Sequence, residues 1–339
     1  MFCTGCETLA YYNQAFKGQV ELLSNQRPLG EVIKDDNSPE QLKKQLSLIQ
    51  DILAFAEQQL GLPVGGNFSH YVDTQRPYVV WNVFAADELS FKPKQWCYPI
   101  VGCASYRGYF KQGQAEAYAD LLRAEGKDVY VGGIAAYSTL GWLDDPVLNT
   151  FVERNAMQLP ALIFHELAHR ILYVKGDTEF NESFASAVER IALERWLKHQ
   201  NKPEAFSLYL KQKQRYDDFV EFVLFWKAQL EALYATDLSE EKKRQGKAEL
   251  FKAMRSDYEQ FKFNQQHYQG YDAWMSGLLN NAKLNTLATY QARVPAFLAL
   301  YQQENSDFKK FIDACVELSR LKSAERKQQV DDLMTVFLQ

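Results

Sequence analysis

Apolar residues recur at helical spacing through most of the chain, and the exception is a middle stretch where they run in short blocks. Leu42, Leu46, Ile49, Leu53 and Ala56 fall three or four apart and predict one face of a helix. Ser38-Pro39-Glu40-Gln41 supplies a capping box with proline at the first helical position, and Gly61-Leu62-Pro63 stops the run. The first 60 or so residues therefore read as helical. From about residue 70 to 142 the texture changes. RPYVVWNVFAA, GCASYRGYF and DVYVGGIAAYSTLGW are rich in β-branched and aromatic residues and predict three strands. A helix over 112–126 separates the last two. Beyond about residue 192 the pattern is helical again and heavily charged. Phe219, Val223, Trp226, Leu230 and Leu233 form one stripe; Leu250, Met254, Tyr258 and Phe261 form another. Thr236-Asp237-Leu238-Ser239-Glu240 breaks and re-caps the chain between them, which predicts two long antiparallel helices.

Charge and composition narrow the partners. A net charge of −5 and a pI near 5.7 lack the basic surface that phosphate neutralisation needs, so no nucleic-acid partner is expected. No apolar run approaches the roughly 18–20 residues of a membrane-spanning helix. Of five cysteines, Cys97 and Cys103 lie in WCYPIVGC, where Pro99 and Gly102 can turn the chain back. Composition alone leaves a short-loop disulfide, which would point to an oxidising compartment, level with two buried thiols. Thr4-Gly5-Cys6 has the form of the end of a bacterial lipoprotein signal, without the basic and apolar regions that precede one.

The densest chemistry is FHELAHRILYVKGDTEFNESFASAVER, residues 164–190. His165, Glu166 and His169 spell H-E-x-x-H. On a helix, positions i and i+4 project from one face, so two imidazoles can share one zinc ion while Glu166 reaches a water beside it as general base. Five histidines in the whole chain leave little room for a chance match. A third ligand is still needed, and Glu179, Glu182 and Glu189 all follow closely. Gly176 is expected to end the first helix, and Asp177 or Thr178 to cap the next. Glu179 then sits at a frayed start. Glu182 lies one to two turns in, with small Ala185 and Ser186 letting that helix press close. Glu189 suits the N–H of a ligating histidine better than the metal. The expected set is His165, His169 and Glu182 on one Zn2+ ion, with Glu189 behind it.

A carboxylate third ligand on a following helix is the glutamate-zincin plan, and Asn181-Glu182 resembles the Asn-Glu pair of thermolysin-like enzymes, across a shorter gap. The expected fold is α+β and predominantly helical. A zincin-like catalytic core with a small β-sheet occupies 65–200, after N-terminal helices over 1–64 and before a helical region over 201–339 packed on it.

The central stretch also resembles one family, the zinc aminopeptidases of Gram-negative bacteria, usually lipoproteins. The resemblance is carried by WNVFAADELSFKPKQWCYPIVGCASYRGYF, DVYVGGIAAYSTLGWLDDPVL, IFHELAHRILYVKGDTEFNESFA and, more weakly, NNAKLNTLATY, and it spans about residues 5–300. It implies a peptide substrate, and a periplasmic protein anchored to the membrane by a lipid on Cys6. Read as written, without a leader, the chain would instead be cytoplasmic. The activity it implies is a zinc peptidase, an aminopeptidase first and an endopeptidase second. A metal-stabilised binding module of the envelope is the non-enzymatic alternative, against which an intact Glu166 argues.

Neighbouring residues acquire candidate roles. An edge strand upstream of the metal helix can pair with a peptide, and Gly132-Gly133 allows close approach, so Gly133, Ile134 and Ala135 are expected to bind substrate. Tyr137 donates to the oxyanion or is a core tyrosine of the strand, the two readings standing level, and Tyr290 or His267 is the candidate donor from the helical half. Arg107 binds a substrate carboxylate or makes a structural ion pair, the second being the default. Asp87, Glu88, Asp144 and Asp145 flank the strands as acidic candidates for a free α-amine, without a motif to choose among them.

Overall fold

The computed structural model describes residues 4–98, 102–136, 144–287 and 293–337. In chain order it begins with helix α1 (Thr4–Ser24), strand β1 (Arg27–Pro28), helices α2 (Leu29–Lys34) and α3 (Glu40–Leu60), and strand β2 (His70–Val72). Strands β3 (Val80–Asp87), β4 (Trp96–Tyr98), β5 (Gly102–Ala104) and β6 (Arg107–Tyr109), helix α4 (Gln112–Ala124) and strand β7 (Lys127–Ile134) follow. Next come β8 (Val147–Leu148), α5 (Asn149–Val152), α6 (Gln158–His169), α7 (Thr178–His199), α8 (Ala205–Tyr234) and α9 (Glu240–Asn264). The chain ends in α10 (Asp272–Ser276), α11 (Asn281–Asn285), α12 (Val294–Gln303), α13 (Phe308–Arg320) and α14 (Ser323–Phe337). The fold is predominantly helical with small sheets, an α+β arrangement.

Two compact units divide the chain, and neither is continuous. One comprises Met1–Gly18, Val80–Ile134 and Leu210–Ala288; the other comprises Gln19–Val79, Ala135–Tyr209 and Thr289–Gln339. A division into 1–64, 65–200 and 201–339 follows the chain, whereas these units each gather three separate stretches.

The first unit is built on the antiparallel sheet β6-β3-β7. β3 is buried almost throughout because α4 and α11 both pack on the sheet, which explains why apolar residues do not simply alternate along it. Trp81, Val83, Ala115, Ala119, Leu122 and Val129 form the core there. β7 pairs with β3 alone among the described strands and lies at the sheet's edge, as expected. GCASYRGYF gives two short strands, β5 and β6, rather than one. β4 and β5 form a hairpin in which Cys97 and Cys103 face each other and are joined by a disulfide. α8 and α9 run antiparallel: the Phe219 ring lies 6.3 Å from Tyr258 and 6.0 Å from Phe261, while Leu233 packs where a side chain on Gly246 would stand. Ser239 caps α9 by accepting from the Lys242 amide.

The second unit is almost wholly helical, with a small sheet β1-β2-β8. α3 packs on α6 and α7, and α12 packs on α7 and α14. The stripe of α3 that is buried runs through Leu46, Ile49, Ile52, Phe55, Ala56 and Leu60, with Leu42 and Leu53 only partly covered. Its start corrects the capping-box expectation. The helix begins at Glu40, and Pro39 holds the cap position in an extended conformation with no side-chain cap bond. Pro39 is itself extended, at ψ 135°, instead of forming the first helical residue, which sets Ser38 one position too far from the first turn. Gly61 ends α3 in the left-handed conformation, as expected.

Candidate metal centre

α6 carries the H-E-x-x-H residues and is buried along most of its length: Leu159, Ile163, Phe164, Leu167 and Ala168 are within the core. It ends at His169, earlier than Gly176, the expected C-cap. The reason lies in Asn181. Its buried side chain accepts from the Val174 amide at 2.8 Å and donates to the Val174 carbonyl at 2.9 Å, taking both groups out of any helical ladder. Gly176, at φ +82°, turns the chain, and Asp177 caps α7 by accepting from the Phe180 amide. Arg326 donates to the other Asp177 oxygen at 2.8 and 3.0 Å. α7 then packs along α6, and the buried Ala185 and Ser186 are small enough to permit the close approach.

This packing gathers His165, His169 and Glu182, whose ligand atoms lie within 4.8 Å of one another. Nε2 of His165 is 3.3 Å from Glu182 Oε2, and Nε2 of His169 is 3.7 Å from Glu182 Oε1. Ligand atoms around a tetrahedral zinc with bonds of about 2.0–2.1 Å stand about 3.3–3.4 Å apart, close to these two separations. Two imidazoles and a carboxylate are also a donor set that zinc accepts. The group could therefore hold a metal ion.

Charge around the group is arranged unevenly. Burial opposes a proton on His165, but hydrogen bonds to Glu182 and Glu189, and their charges, outweigh it and raise its pKa to about 10. A positive charge is thus favoured at the point where a cation would sit. Burial, and then the neighbouring His165, push His169 down to about 4 and keep its imidazole neutral. Although burial works the other way, the hydrogen bond from His165 and the charge of that imidazole hold Glu182 below the usual carboxylate range. Glu166 is pushed upward, first by burial and then by Asp145 and Glu182, against the pull of His165 and Arg154.

Behind the group, Glu189 Oε2 lies 3.2 Å from Nδ1 of His165, and Glu189 Oε1 accepts the Tyr209 hydroxyl at 2.8 Å. Nδ1 of His169 is buried and has no hydrogen-bond partner among the described residues, so only one of the two imidazoles has its tautomer fixed. Three contributors carry no local sequence signal. Tyr209 comes from the next helix. Arg154, in electrostatic reach of Glu166 and Glu189, belongs to the connection between α5 and α6. Asp145 is buried, and its own amide donates to Asn67.

The remaining candidates distribute as follows. Glu179 at the start of α7 accepts from Arg293. Tyr137 and Tyr290 lie outside the described residues. His267 belongs to the first unit, with its ring against Phe263 at 5.4 Å. Arg107, also in the first unit, is buried with its guanidinium 4.1 Å from the Tyr11 ring and 4.5 Å from that of Tyr118. Gly133 and Ile134 close the edge strand β7, and the Ala135 carbonyl accepts from Thr150. Asp87 pairs with Lys127, Glu88 with Arg244 and Asp144 with Arg170. Cys6 falls in α1, and its side chain is not among those described.

Two packed helices that present two imidazoles and a carboxylate beside a half-buried glutamate define an imidazole–carboxylate site of the metal-capable kind. The chain belongs to the family described as "putative aminopeptidase", whose model matches residues 10–330. No curated protein and no solved structure matches it. Membership supports a peptidase function.

Proposed function

We propose that the protein is a zinc-dependent peptidase, acting as an aminopeptidase, with His165, His169 and Glu182 holding the ion. The observation that carries the reading is the convergence of those three side chains from α6 and α7 within 4.8 Å. Bound zinc would supply Lewis acidity and bring the pKa of a water down to about 7. Glu166, next in sequence to one ligand and half-buried, accepts the proton of the attacking water on its carboxylate and delivers it to the leaving amine. Its upward shift suits that exchange near neutral pH, because a base works best when its pKa approaches the working pH. Glu189 keeps the Nδ1 proton of His165 in place, so that Nε2 offers its lone pair. The Cys97–Cys103 bridge supports an oxidising, periplasmic setting.

The test is Glu166→Gln, with bound zinc and peptide hydrolysis measured together. Retained zinc with turnover reduced at least about a hundredfold is expected. Undiminished turnover would end the proposal. Rejection of an N-acetylated substrate that is cut when its amine is free separates aminopeptidase from endopeptidase.

A further inference from the structure

Away from the metal group, the second unit contains a cleft of about 900 Å³, bounded by β2, the α2–α3 connection and α5. That volume is in the range that takes a short peptide or a comparable ligand. Tyr71 lines it. The residue is 9% exposed, and its hydroxyl makes no hydrogen bond among the described residues and stays reachable from the cleft.

Four carboxylates line the cleft, and they are not equivalent. Asp35 pairs with Arg27 at 2.8 Å, and Glu21 with Arg76 at 3.5 Å. Asp73 and Glu153 make no ion pair among the described residues; Asp73 Oδ1 accepts only the Gln75 amide, at 2.8 Å. Burial, and then the charges of Asp73 and Glu153, push the Tyr71 phenol up to about 12, so both carboxylates act on it. A buried phenol beside two uncompensated carboxylates is complementary to a cation, which gains two charge-assisted hydrogen bonds and an aromatic neighbour. The rest of the lining says what carries that cation. Asn25, Gln41 and Gln45 offer carboxamides to peptide N–H and C=O groups, and Val32 and Leu42 offer apolar surface to an aliphatic stem.

We propose that this cleft binds a basic peptide segment, with a lysine or arginine side chain seated against Tyr71, Asp73 and Glu153. The site does not depend on the metal-centred reading, because none of its lining residues belongs to that group.

Calorimetry on the full chain at low ionic strength tests it, with acetyl-Lys-Lys-Lys-amide as probe, with and without a chelator. Saturable binding that is indifferent to the chelator is expected. Asp73→Asn with Glu153→Gln should raise Kd at least tenfold. The first of these substitutions keeps an oxygen to accept the Gln75 amide, so circular dichroism and Tm should hold. Removing two charges elsewhere, by Asp51→Asn with Glu57→Gln on exposed positions of α3, should leave Kd unchanged. Equal weakening by both pairs would overturn the site in favour of overall charge. Unchanged Kd in the first pair, or equal binding of acetyl-Gln-Gln-Gln-amide, would overturn it outright. Spermidine binding as tightly as the peptide would show an oligoamine site and overturn the peptide assignment.

Discussion

His165 and Tyr209 are joined through one carboxylate: Glu189 faces Nδ1 of the imidazole at 3.2 Å with one oxygen and accepts the phenol at 2.8 Å with the other. Three successive helices, α6, α7 and α8, each contribute one member of this chain. The phenol stops Glu189 from rotating away, and Glu189 fixes which imidazole nitrogen carries the proton. Tyr209→Phe keeps the ring and removes the anchor. Zinc affinity, read by competition with a chromophoric chelator, should fall about tenfold, and Glu189→Gln should cost up to about a hundredfold. Unaltered affinity in both would deny Glu189 its orienting role.

The parts of this arrangement that were legible in the sequence are those set by local spacing. H-E-x-x-H on one helix and Glu182 on the next follow from helical periodicity, and so do the α8–α9 hairpin and its Ser239 cap. What escaped depends on contacts across long sequence distances. Tyr209 reaches Glu189 from another helix, and Arg154 comes from a connection with no pattern of its own. Gly176, the expected C-cap, lies past the end of α6; Asn181, seven residues beyond Val174, decides the matter by capturing its backbone. The two compact units were hidden for a similar reason, since each is assembled from three stretches of chain.

Asp177 serves two partners, and substitution can separate them. Asp177→Asn keeps an oxygen for the Phe180 amide but removes the charge facing Arg326, whose side chain is only 6% exposed. Leaving that guanidinium buried and unpaired should cost about 3 kcal/mol. Asp177→Ala loses the cap as well, adding about 1 kcal/mol. Arg326→Met should cost less than either, because Asp177 is reachable by water. Urea denaturation orders the three variants, and an Arg326→Met variant less stable than Asp177→Asn would contradict the argument.

The Cys97–Cys103 bridge closes a short loop in the first unit, whereas the metal group lies wholly in the second. Its contribution through chain entropy should be about 2 kcal/mol for a loop of that length. Cys97→Ser with Cys103→Ser should lower the unfolding midpoint accordingly while zinc stoichiometry stays the same. Loss of zinc in that variant would show that the hairpin supports the metal group.

Asn181 fixes the connection that sets His169 against Glu182, so its removal should be felt twice. The side chain is 1% exposed and satisfies both the amide and the carbonyl of Val174. Asn181→Ala leaves the Val174 amide without its partner, while the carbonyl keeps the Asp177 amide at 3.2 Å, at a cost of about 1–3 kcal/mol. Asn181→Asp keeps the acceptor, loses the donor and brings a charge into the same place, so it should be at least as damaging. Because α6 and α7 each carry part of the ligand set, loosening the turn between them should also weaken zinc binding. Adding saturating zinc should then restore part of the lost Tm, since an ion that binds only the native arrangement favours it by mass action. A variant that is destabilised yet binds zinc as tightly as the wild type would show that the side chain holds the fold without setting the ligand geometry.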